Sequence, residues 1–287
     1  MILITGAMGN VGREVVNLLL AEGEKAVAVT RDPATAALPD GAAVVGGDPS
    51  HPTTLTSALR RVEAVLVSPR AVGAATAELL ALAAEHGAQR VVALSAVTVE
   101  HPAGYRRFAE EFKAVEDAVT ASGLPWTILR CTDFASNTRA WAPQIRSTGI
   151  VRGAYGDAAT STIHERDIAA VAVRALVDAD HAGHSYLLTG PQSLTQRDKV
   201  RLIGQALGTP LSFEELPPDQ VRRAMLAQGL PEDIPDRLLG SLADYATQPG
   251  PSSDTVAQIL DRPALTFADW ATEHTADFGE PAGKHSS

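Results

Sequence analysis

A glycine-rich turn between two short apolar runs opens the chain. Residues 2–4 (ILI) lead directly into TGAMGNVG at residues 5–12, a helical pattern follows, and a second apolar run occupies residues 26–30. A strand, a glycine turn, a helix and a second strand within about thirty residues match the size of a βαβ unit that binds a dinucleotide. We therefore predict that a dinucleotide phosphate lies against the free N–H groups at the start of that helix.

The three glycines of this turn have separate roles in such a unit. Gly6 lets the chain turn sharply after the strand, and Gly9 lets backbone N–H groups come close to a pyrophosphate. Gly12 allows the helix to pack closely against the sheet. A tight turn without a ligand is the alternative for the triplet alone, but the flanking strands and helix favour cofactor binding.

The residues at the end of the second strand bear on which dinucleotide is bound. In NAD-selective units an acidic residue there holds the ribose 2′-hydroxyl, whereas an arginine suits the 2′-phosphate of NADP. Thr30 and Arg31 occupy this place, and Asp32 before Pro33 has the pattern of a turn residue. The sequence therefore favours NADP(H) over NAD(H), and a solvated Arg31 is the alternative.

Strand and helix patterns go on alternating, with short connections, as far as residue 131. Helical patterns cover residues 71–86 and 105–122. Because β and α elements alternate, the sheet is expected to be parallel with right-handed crossovers. We predict an α/β fold, a Rossmann-type doubly wound parallel sheet with a smaller α+β C-terminal lobe. The six strands are predicted at residues 2–4, 26–30, 42–47, 64–68, 90–95 and 126–131.

The alternation ends after the sixth strand, where an irregular stretch at residues 133–163 begins. We expect the lobe beyond it to cover the nicotinamide end and to form the substrate pocket. Its predicted elements are a strand at 185–189 and helices at 195–207, 217–228, 231–246 and 266–277. The predicted division is an NADP(H)-binding domain of residues 1–135 with the helix at 164–180, a smaller lobe of 136–163 and 181–280, and a flexible tail of 281–287.

Ligands of parallel sheets bind beyond the C-terminal ends of the strands, so residues at those ends are candidate contacts. Asp48, after the third strand, can accept a hydrogen bond from the adenine amino group or can cap the next segment. Ser95 can bond a substrate carbonyl or the carboxamide, or can cap the next segment. The cofactor-binding candidates from these positions are Thr5, Gly6, Met8, Gly9, Asn10, Val11, Gly12, Thr30, Arg31, Asp48, Ser68, Pro69, Arg70, Ser95 and Thr132.

Several of these segments resemble the NmrA-like branch of the atypical short-chain dehydrogenases/reductases. The TGAxGxxG form of the first turn is shared widely among short-chain dehydrogenases, whereas the later motifs are typical of this branch. The resemblance covers about residues 1–215 and implies NADP(H) binding by a Rossmann domain with a small C-terminal domain. The later motifs are SGLPWTILR at 122–130, then Phe134 and Asn137, DIAAVA at 167–172 and YLLTGP at 186–191.

The resemblance also bears on catalysis. Typical short-chain dehydrogenases use a tyrosine as proton donor and a lysine four residues later, which lowers the tyrosine pKa and holds the nicotinamide ribose. Lys113 stands at the lysine position, so a ribose contact is implied; a solvated lysine paired with Glu110 or Glu116 is the alternative. Ala109 stands at the tyrosine position, so the dyad is absent. Tyr105, about two helical turns before Lys113, is a further candidate, with packing as its favoured role.

Phe134 and Asn137 resemble the pair that lines the nicotinamide in this branch, while core packing and a turn are their alternatives. His164, at the start of a family helix motif, and His101 are candidate proton donors. Cys131 replaces a proline usual to the branch, and a buried cysteine is expected to be inert. The catalytic candidates are Lys113, Ser95, Asn137, Tyr105 and His164, and Lys113 and Phe134 join the cofactor contacts.

Composition excludes several classes of partner. A net charge of -10 argues against nucleic acid, and the eight histidines show no metal-ligand spacing, so no metal site is predicted. A single cysteine excludes an internal disulfide and suits a reducing compartment. No apolar run approaches membrane-spanning length and the first strand starts at residue 2, so we expect a cytoplasmic protein without membrane contact, as a monomer or homodimer.

The function expected from these features is NADPH-dependent hydride transfer to a quinone or conjugated carbonyl, with an aromatic or quinone-like small molecule as substrate. A quinone needs little help from a positioned acid, because its reduced product is a stabilised hydroquinone. This property fits the missing tyrosine. Two alternatives stay open: a non-catalytic NADP(H)-sensing regulatory protein, and an isomerase or epimerase that uses the same pocket.

Overall fold

A computed structural model describes residues 1–104 and 106–279. Within them the β-strands are β1 (Ile2–Ile4), β2 (Ala26–Thr30), β3 (Ala43–Gly46), β4 (Ala64–Val67), β5 (Arg90–Ala96), β6 (Trp126–Cys131), β7 (Ile150–Gly153), β8 (Ala159–Thr160), β9 (His184–Leu188), β10 (Leu194–Thr195) and β11 (Ser212–Glu215). The α-helices there are α1 (Asn10–Ala21), α2 (Pro69–Val72), α3 (Thr76–Glu85), α4 (Arg106–Thr120), α5 (Ala142–Thr148), α6 (Glu165–Val177), α7 (Gln196–Leu207), α8 (Pro218–Ala227), α9 (Asp233–Thr247), α10 (Thr255–Leu260), α11 (Phe267–Glu273) and α12 (Thr275–Phe278).

The central layer is a seven-stranded sheet in the order β3-β2-β1-β4-β5-β6-β9, with every neighbouring pair parallel. β1 lies between β2 and β4, with Ile2 opposite both Ala26 and Ala64. The strand order reverses at this point, so the crevice beyond the carboxyl ends of β1 and β4 is where this topology binds ligands. The predicted α/β fold with a doubly wound parallel sheet is confirmed.

Helices cover both faces of this sheet. α1 and α6 pack against Ile2 and Ile4 on one face, whereas α3 and α4 pack against Leu3 on the other. Successive strand residues are therefore buried in turn on opposite faces, and all three residues of β1 lie inside the protein. This double burial explains why the strands appear in the sequence as continuous apolar runs.

The smaller lobe has a core of its own, shared by α5, α7, α11 and α12. Trp270 is fully buried, stacks on Phe267 with ring centroids 5.7 Å apart, and meets the edge of Phe278 at 6.1 Å. β7 pairs with β11 in parallel and β8 pairs with β10 in antiparallel fashion. α7 starts with a capping box, in which the Thr195 and Asp198 side chains each accept from the other's backbone N–H.

Four predicted elements differ from the structure, and one of them, the helix predicted at 266–277, is divided into α11 and α12. The segment 133–163, predicted to be irregular, contains a 3₁₀ helix at Ala135–Trp141, α5, β7 and β8. The single helix predicted at 71–86 is divided, because Gly73 adopts a φ of 55° and a 3₁₀ turn there separates α2 from α3. The strand predicted at 185–189 was assigned to the smaller lobe, but as β9 it lies beside β6 at the edge of the main sheet.

The C-terminal part of the chain also returns to the main layer. Val256 of α10 is buried in the same core cluster as α1 and α6. The Ser253 hydroxyl donates to the carbonyl oxygen of Leu187 in β9 at 2.7 Å. The chain beyond residue 181 therefore contributes to both layers. No helix in the described part of the chain is long and apolar enough to cross a membrane.

Candidate active site

The glycine turn after β1 is tightly packed. Gly6 has a φ of 68°, in the left-handed region, and a Cβ added there would lie 2.7 Å from the Cβ of Ser68. A Cβ added at Gly12 would lie 2.2 Å from the carbonyl oxygen of Gly6. Both approaches are shorter than side-chain atoms tolerate, so both positions require glycine.

The first N–H groups of α1 are free to bind an anion. Gly9 is the N-cap residue and offers no side-chain bond to them, and the first turn carries no acidic residue. The side chain of Val11 is buried in the core, which leaves its backbone N–H as the group that can face a ligand. Unpaired N–H groups and the positive end of the helix dipole attract phosphate. These residues fit the pyrophosphate of a dinucleotide.

Thr5 and Met8 are held by hydrogen bonds to neighbouring elements. Thr5 Oγ1 donates to the carbonyl oxygen of Leu66 at 2.8 Å and accepts from the backbone N of Ser68 at 2.8 Å. The Met8 carbonyl oxygen accepts from Nε of Arg13 at 3.1 Å. The Thr5 hydroxyl thus joins the ends of β1 and β4 and positions the glycine turn.

Ser68, Pro69 and Arg70 meet the glycine turn at the reversal of strand order. Ser68 is the N-cap of α2 and Pro69 is its first residue. The Ser68 side chain lies beside Gly6, and the Arg70 side chain is exposed. The structure therefore brings together the candidate residues that follow β1 and those that follow β4.

Asn10 connects the start of α1 to the segment after β6. Its Nδ2 donates to the Ser136 hydroxyl at 2.8 Å, and the backbone N of Ser136 donates to Glu165 at 2.8 Å. Glu165 is buried in the first turn of α6. Ser136 and Glu165 were not among the predicted site residues. The one sequence signal for Glu165 was its place at a helix start, where a carboxylate is favourable.

The end of β2 presents one unpaired guanidinium. Arg31 is exposed and, among the residues that the structure describes, makes no ion pair or hydrogen bond. Asp32 shapes the turn, because its carboxylate accepts from the backbone N of Ala34 at 3.2 Å. The Thr30 hydroxyl accepts from the backbone N of Asp32 at 3.2 Å. The Asp32 carboxylate is thereby engaged in the turn.

Asp48 lies beyond β3 and bonds its own turn. Its Oδ1 accepts from the backbone N of Ser50 at 3.0 Å and from the Ser50 hydroxyl at 2.7 Å, and these bonds lower the pKa of the carboxyl. The Nδ1 atom of His51 lies 3.3 Å from the other carboxylate oxygen. His51 is also the N-cap residue of a 3₁₀ helix at Pro52–Leu55. A turn-capping role is visible here, and the adenine contact stays a prediction.

Ser95 belongs to a buried polar network. Its hydroxyl donates to Oε1 of Glu116 at 2.6 Å, and Glu116 is 3% exposed. Arg130 on β6 donates to both Glu116 oxygens, at 3.0 and 2.7 Å, and to Glu100 at 2.8 Å. These bonds raise the pKa of the Arg130 guanidinium. Because the Ser95 proton is held by a carboxylate, Ser95 anchors α4 to β5 in this structure.

Lys113 is a surface residue of α4. Its side chain is 54% exposed and its ammonium contacts Asp117, one helical turn later. The buried face of α4 carries Val115, Glu116 and Val119. The partner of Lys113 is therefore neither Glu110 nor Glu116, and its contact with the nicotinamide ribose stays a prediction. Tyr105 lies outside the described residues.

Phe134 and Asn137 follow β6 in the order that the resemblance implies. Phe134 is half-buried and bridges to Ile163, and its carbonyl oxygen accepts from the backbone N of Asn137 at 3.0 Å. The Asn137 side chain is exposed. Thr132, by contrast, is buried and donates to the carbonyl oxygen of Ser161 at 2.7 Å, so its hydroxyl supports the loop.

Asp133, Lys199 and Thr160 form a polar cluster that was not predicted. The buried Lys199 ammonium donates to Oδ2 of Asp133 at 3.0 Å and to the Thr160 hydroxyl at 2.7 Å. Oδ1 of Asp133 is buried and has no hydrogen-bond partner among the described residues. Burial, with the charges of Asp133 and Asp244, raises the pKa of Tyr245 on α9 to about 12. These residues come from distant segments, so no local pattern could reveal the cluster.

His164 is a helix cap and not an exposed acid. It is 2% exposed, and its Nδ1 accepts from the backbone N of Arg166 at the start of α6. Its Nε2 lies 3.4 Å from Glu273, without hydrogen-bond geometry. Burial lowers the pKa of the imidazole, against the opposing charges of Glu165 and Glu273.

Helix α9 covers the loop that follows β5. The backbone N of Gly104 donates to Oδ2 of Asp244 at 2.7 Å. Arg237 on the same helix stacks its guanidinium 4.4 Å from the centroid of the Phe108 ring on α4. The smaller lobe thus contacts the loop at the carboxyl end of β5 and the start of α4.

The candidate His101 and the cysteine that was expected to be inert join no catalytic cluster among the described residues. His101 is exposed in the loop after β5. Cys131 is buried, and burial raises the pKa of its thiol, so it is an inert core residue. The described residues contain no group of histidine, cysteine and acidic side chains that could hold a metal ion.

Comparison with known proteins agrees with this geometry. A family described as NAD(P)H-binding matches residues 6–179, more than half of the chain. The (4-alkanoyl-5-oxo-2,5-dihydrofuran-3-yl)methyl phosphate reductase of Streptomyces griseus is 39% identical over 280 residues, 97% of this chain and 99% of the relative. The NAD(P)H azoreductase of Xenophilus azovorans is 33% identical over 290 residues, 97% of this chain and 99% of the relative.

A solved structure shares the whole architecture. The NADPH-dependent quinone oxidoreductase of Escherichia coli, crystallised with NADPH, superposes with a TM-score of 0.80 at 26% identity, covering 95% of this chain and 99% of that one. The glycine turn, the sheet order and these likenesses agree. The chain belongs to the NAD(P)H-binding family, in the quinone-reductase-like, NmrA-like branch of the atypical short-chain dehydrogenases/reductases.

Proposed function

We propose that the protein is an NADPH-dependent reductase that transfers hydride to a quinone or to another conjugated carbonyl compound. The observation that carries this proposal is the glycine turn, whose tight packing and free helix amides fit a dinucleotide. The full-length relatives support the acceptor class. They are named for reduction of azo compounds, quinones and an oxo-dihydrofuran that bears an alkanoyl group.

These acceptors share one chemical property. Each named acceptor is an unsaturated system that spreads incoming negative charge over several atoms, so the reduced product forms without a strong acid beside it. Ala109 leaves the chain without the usual tyrosine, and Lys113 faces solvent beside Asp117. A site without the tyrosine-lysine dyad is therefore suited to reduce an acceptor of this class.

The chain's own residues bind and enclose the reactants. Backbone N–H groups of residues 10–12 would hold the pyrophosphate, and Arg31 would hold the 2′-phosphate, which favours NADP(H) over NAD(H). Phe134 and the cover formed by α9 would exclude water from the reacting end. When bound, the nicotinamide supplies the hydride, and the protein supplies orientation and electrostatics.

We further propose that Tyr245 donates a hydrogen bond to the substrate oxygen that gains charge. A pKa of about 12 keeps its phenol protonated at neutral pH. Its neighbour Asp133 directly precedes Phe134, the residue that resembles a nicotinamide contact. A preorganised donor at a position of developing charge stabilises the transition state.

Steady-state consumption of NADPH with a panel of quinones and conjugated carbonyls tests the proposed reaction. We expect turnover with at least one acceptor and equimolar reduced product. Tight NADP(H) binding without turnover on any acceptor would contradict the proposal and favour a dinucleotide-sensing regulator, which the missing tyrosine-lysine dyad also permits. Conversion of a substrate to an isomer without net NADPH consumption would identify an isomerase or epimerase.

A further inference from the structure

Two arginines from distant parts of the chain stand at the mouth of the candidate active site. Arg70 belongs to α2, which begins where β4 ends beside Gly6. Arg237 belongs to α9, which covers the loop after β5: a Cβ added at Gly104 would lie 3.0 Å from the Arg237 carbonyl oxygen. The main sheet and the smaller lobe therefore each contribute one guanidinium.

Neither guanidinium forms an ion pair or a hydrogen bond with the residues that the structure describes. Eight other arginines do form ion pairs with carboxylates: Arg130, Arg139, Arg152, Arg166, Arg197, Arg201, Arg222 and Arg262.

Arg237 is held in place without a carboxylate partner. The carbon of its guanidinium lies over the Phe108 ring, 4.4 Å from the ring centroid, and this cation–π contact holds the group. Burial and the positive charge of Arg70 both lower the pKa of Arg237, and the charges of Asp233 and Glu111 offset this only in part. Two like charges held near each other, one of them partly buried, are unfavourable unless an anion joins them.

We propose that Arg70 and Arg237 form an anion site that binds a phosphate monoester on the substrate, so that the protein reduces phosphorylated conjugated carbonyl compounds. Guanidinium groups bind phosphate through paired N–H bonds, and two of them match a dianion. The proposal rests on the reductase function proposed above.

The substrate is favoured over the cofactor as the source of this phosphate. The pyrophosphate is expected at the start of α1, and the 2′-phosphate is expected at Arg31 beyond β2. In the sheet, β1 lies between β2 and β4, the strand that precedes Arg70. Arg237 belongs to the lobe that covers the site and not to the dinucleotide-binding unit. Because Arg70 lies close to the glycine turn, the binding measurements below distinguish a substrate phosphate from a cofactor phosphate.

The test compares Arg70→Gln and Arg237→Gln with Arg223→Gln, a matched control at an exposed position of α8. The acceptors are a hydroxymethyl naphthoquinone and its phosphate ester. We expect each site variant to lower kcat/KM for the ester about ten- to hundredfold more than kcat/KM for the free alcohol. The control should leave both unchanged. Equal losses on both acceptors, or no loss on the ester, would overturn the proposal.

Equilibrium binding separates the remaining outcomes. The Kd of NADPH should be the same in Arg237→Gln and Arg223→Gln; a weaker NADPH complex with an unchanged ester preference in either site variant would assign that arginine to the cofactor and reject the proposal. Calorimetric binding of the ester to the NADP⁺-saturated protein does not depend on turnover. Ester binding that is lost in Arg237→Gln would support the anion site even if no acceptor were reduced, whereas failure to bind the ester would reject it.

Discussion

Arg31 is the residue on which the choice of cofactor depends. Its guanidinium is exposed and unpaired among the described residues, next to a turn that already engages Asp32. We expect Arg31→Ala to weaken NADPH by about ten- to hundredfold, the effect of losing a charged hydrogen bond of about 1.5–3 kcal/mol. Binding of NADH should hardly change. Titration of both cofactors by fluorescence measures this, and equal losses would remove Arg31 from the 2′-phosphate.

Tyr245 provides a second test at the level of one side chain. Tyr245→Phe removes the hydroxyl and keeps the ring, which packs against Gly250. A Cβ added to this glycine would lie 3.2 Å from the nearest ring carbon of Tyr245. We expect kcat to fall by about a hundredfold, as for other lost donors to a developing charge, with the Kd of NADPH unchanged. An unchanged kcat would show that the substrate oxygen lies elsewhere.

The network of Glu116, Ser95 and Arg130 fixes helix α4 to strands β5 and β6. Glu116→Ala would leave a partly buried Arg130 with only Glu100, which is 53% exposed. Removing one partner of a buried ion pair costs about 3–5 kcal/mol, so we expect the free energy of unfolding to fall by about 3 kcal/mol. The control Glu100→Ala should cost about 1 kcal/mol or less, because that pair faces solvent. Urea denaturation measures both, and similar small losses would contradict the structural role.

Helix α6 depends on a neutral His164 at its N-terminus. The imidazole caps the helix by accepting a hydrogen bond at Nδ1, and burial lowers its pKa in the folded protein. The unfolded chain, with an ordinary histidine pKa of about 6.5, therefore binds the proton more readily. The His164 contribution to stability is constant above about pH 7 and is lost as the pH falls below about 6.5.

His164→Asn is the variant that tests this cap. Asparagine also caps helices but does not titrate in this range, so the variant should lose less stability than the wild type between about pH 7 and 5. Thermal unfolding at several pH values measures the difference. Parallel losses in both proteins would show that other groups control the acid sensitivity of the fold.

Local sequence patterns predicted those elements whose burial is regular. β1, β2 and β6 have the predicted bounds, because strands buried on both faces appear as unbroken apolar runs. The segment after β6 was predicted as irregular because α5, β7 and β8 are short and half-exposed. Likewise, Ser95 and Glu116 are 21 residues apart in the chain, so no local sequence pattern predicts their hydrogen bond.

At the scale of the whole molecule, the fold and the cofactor turn followed from the sequence, but the assembly of the active site did not. β9 and α10 return from the smaller lobe to the main layer, so the two parts of the chain are interleaved. α9 brings Arg237 and Tyr245 over the sheet from more than a hundred residues beyond β6. The resemblance covers about residues 1–215 and contains no motif for these positions.

A rapid-mixing experiment tests the central claim most directly. The protein is mixed with an equimolar amount of NADPH, and a quinone is then added while NADPH fluorescence and hydroquinone are followed. We predict loss of NADPH in a single turnover with equimolar hydroquinone, and no such phase in Gly12→Ala, whose added Cβ would lie 2.2 Å from the Gly6 carbonyl oxygen. Bound NADPH that stays unoxidised with every quinone and conjugated carbonyl offered would contradict it.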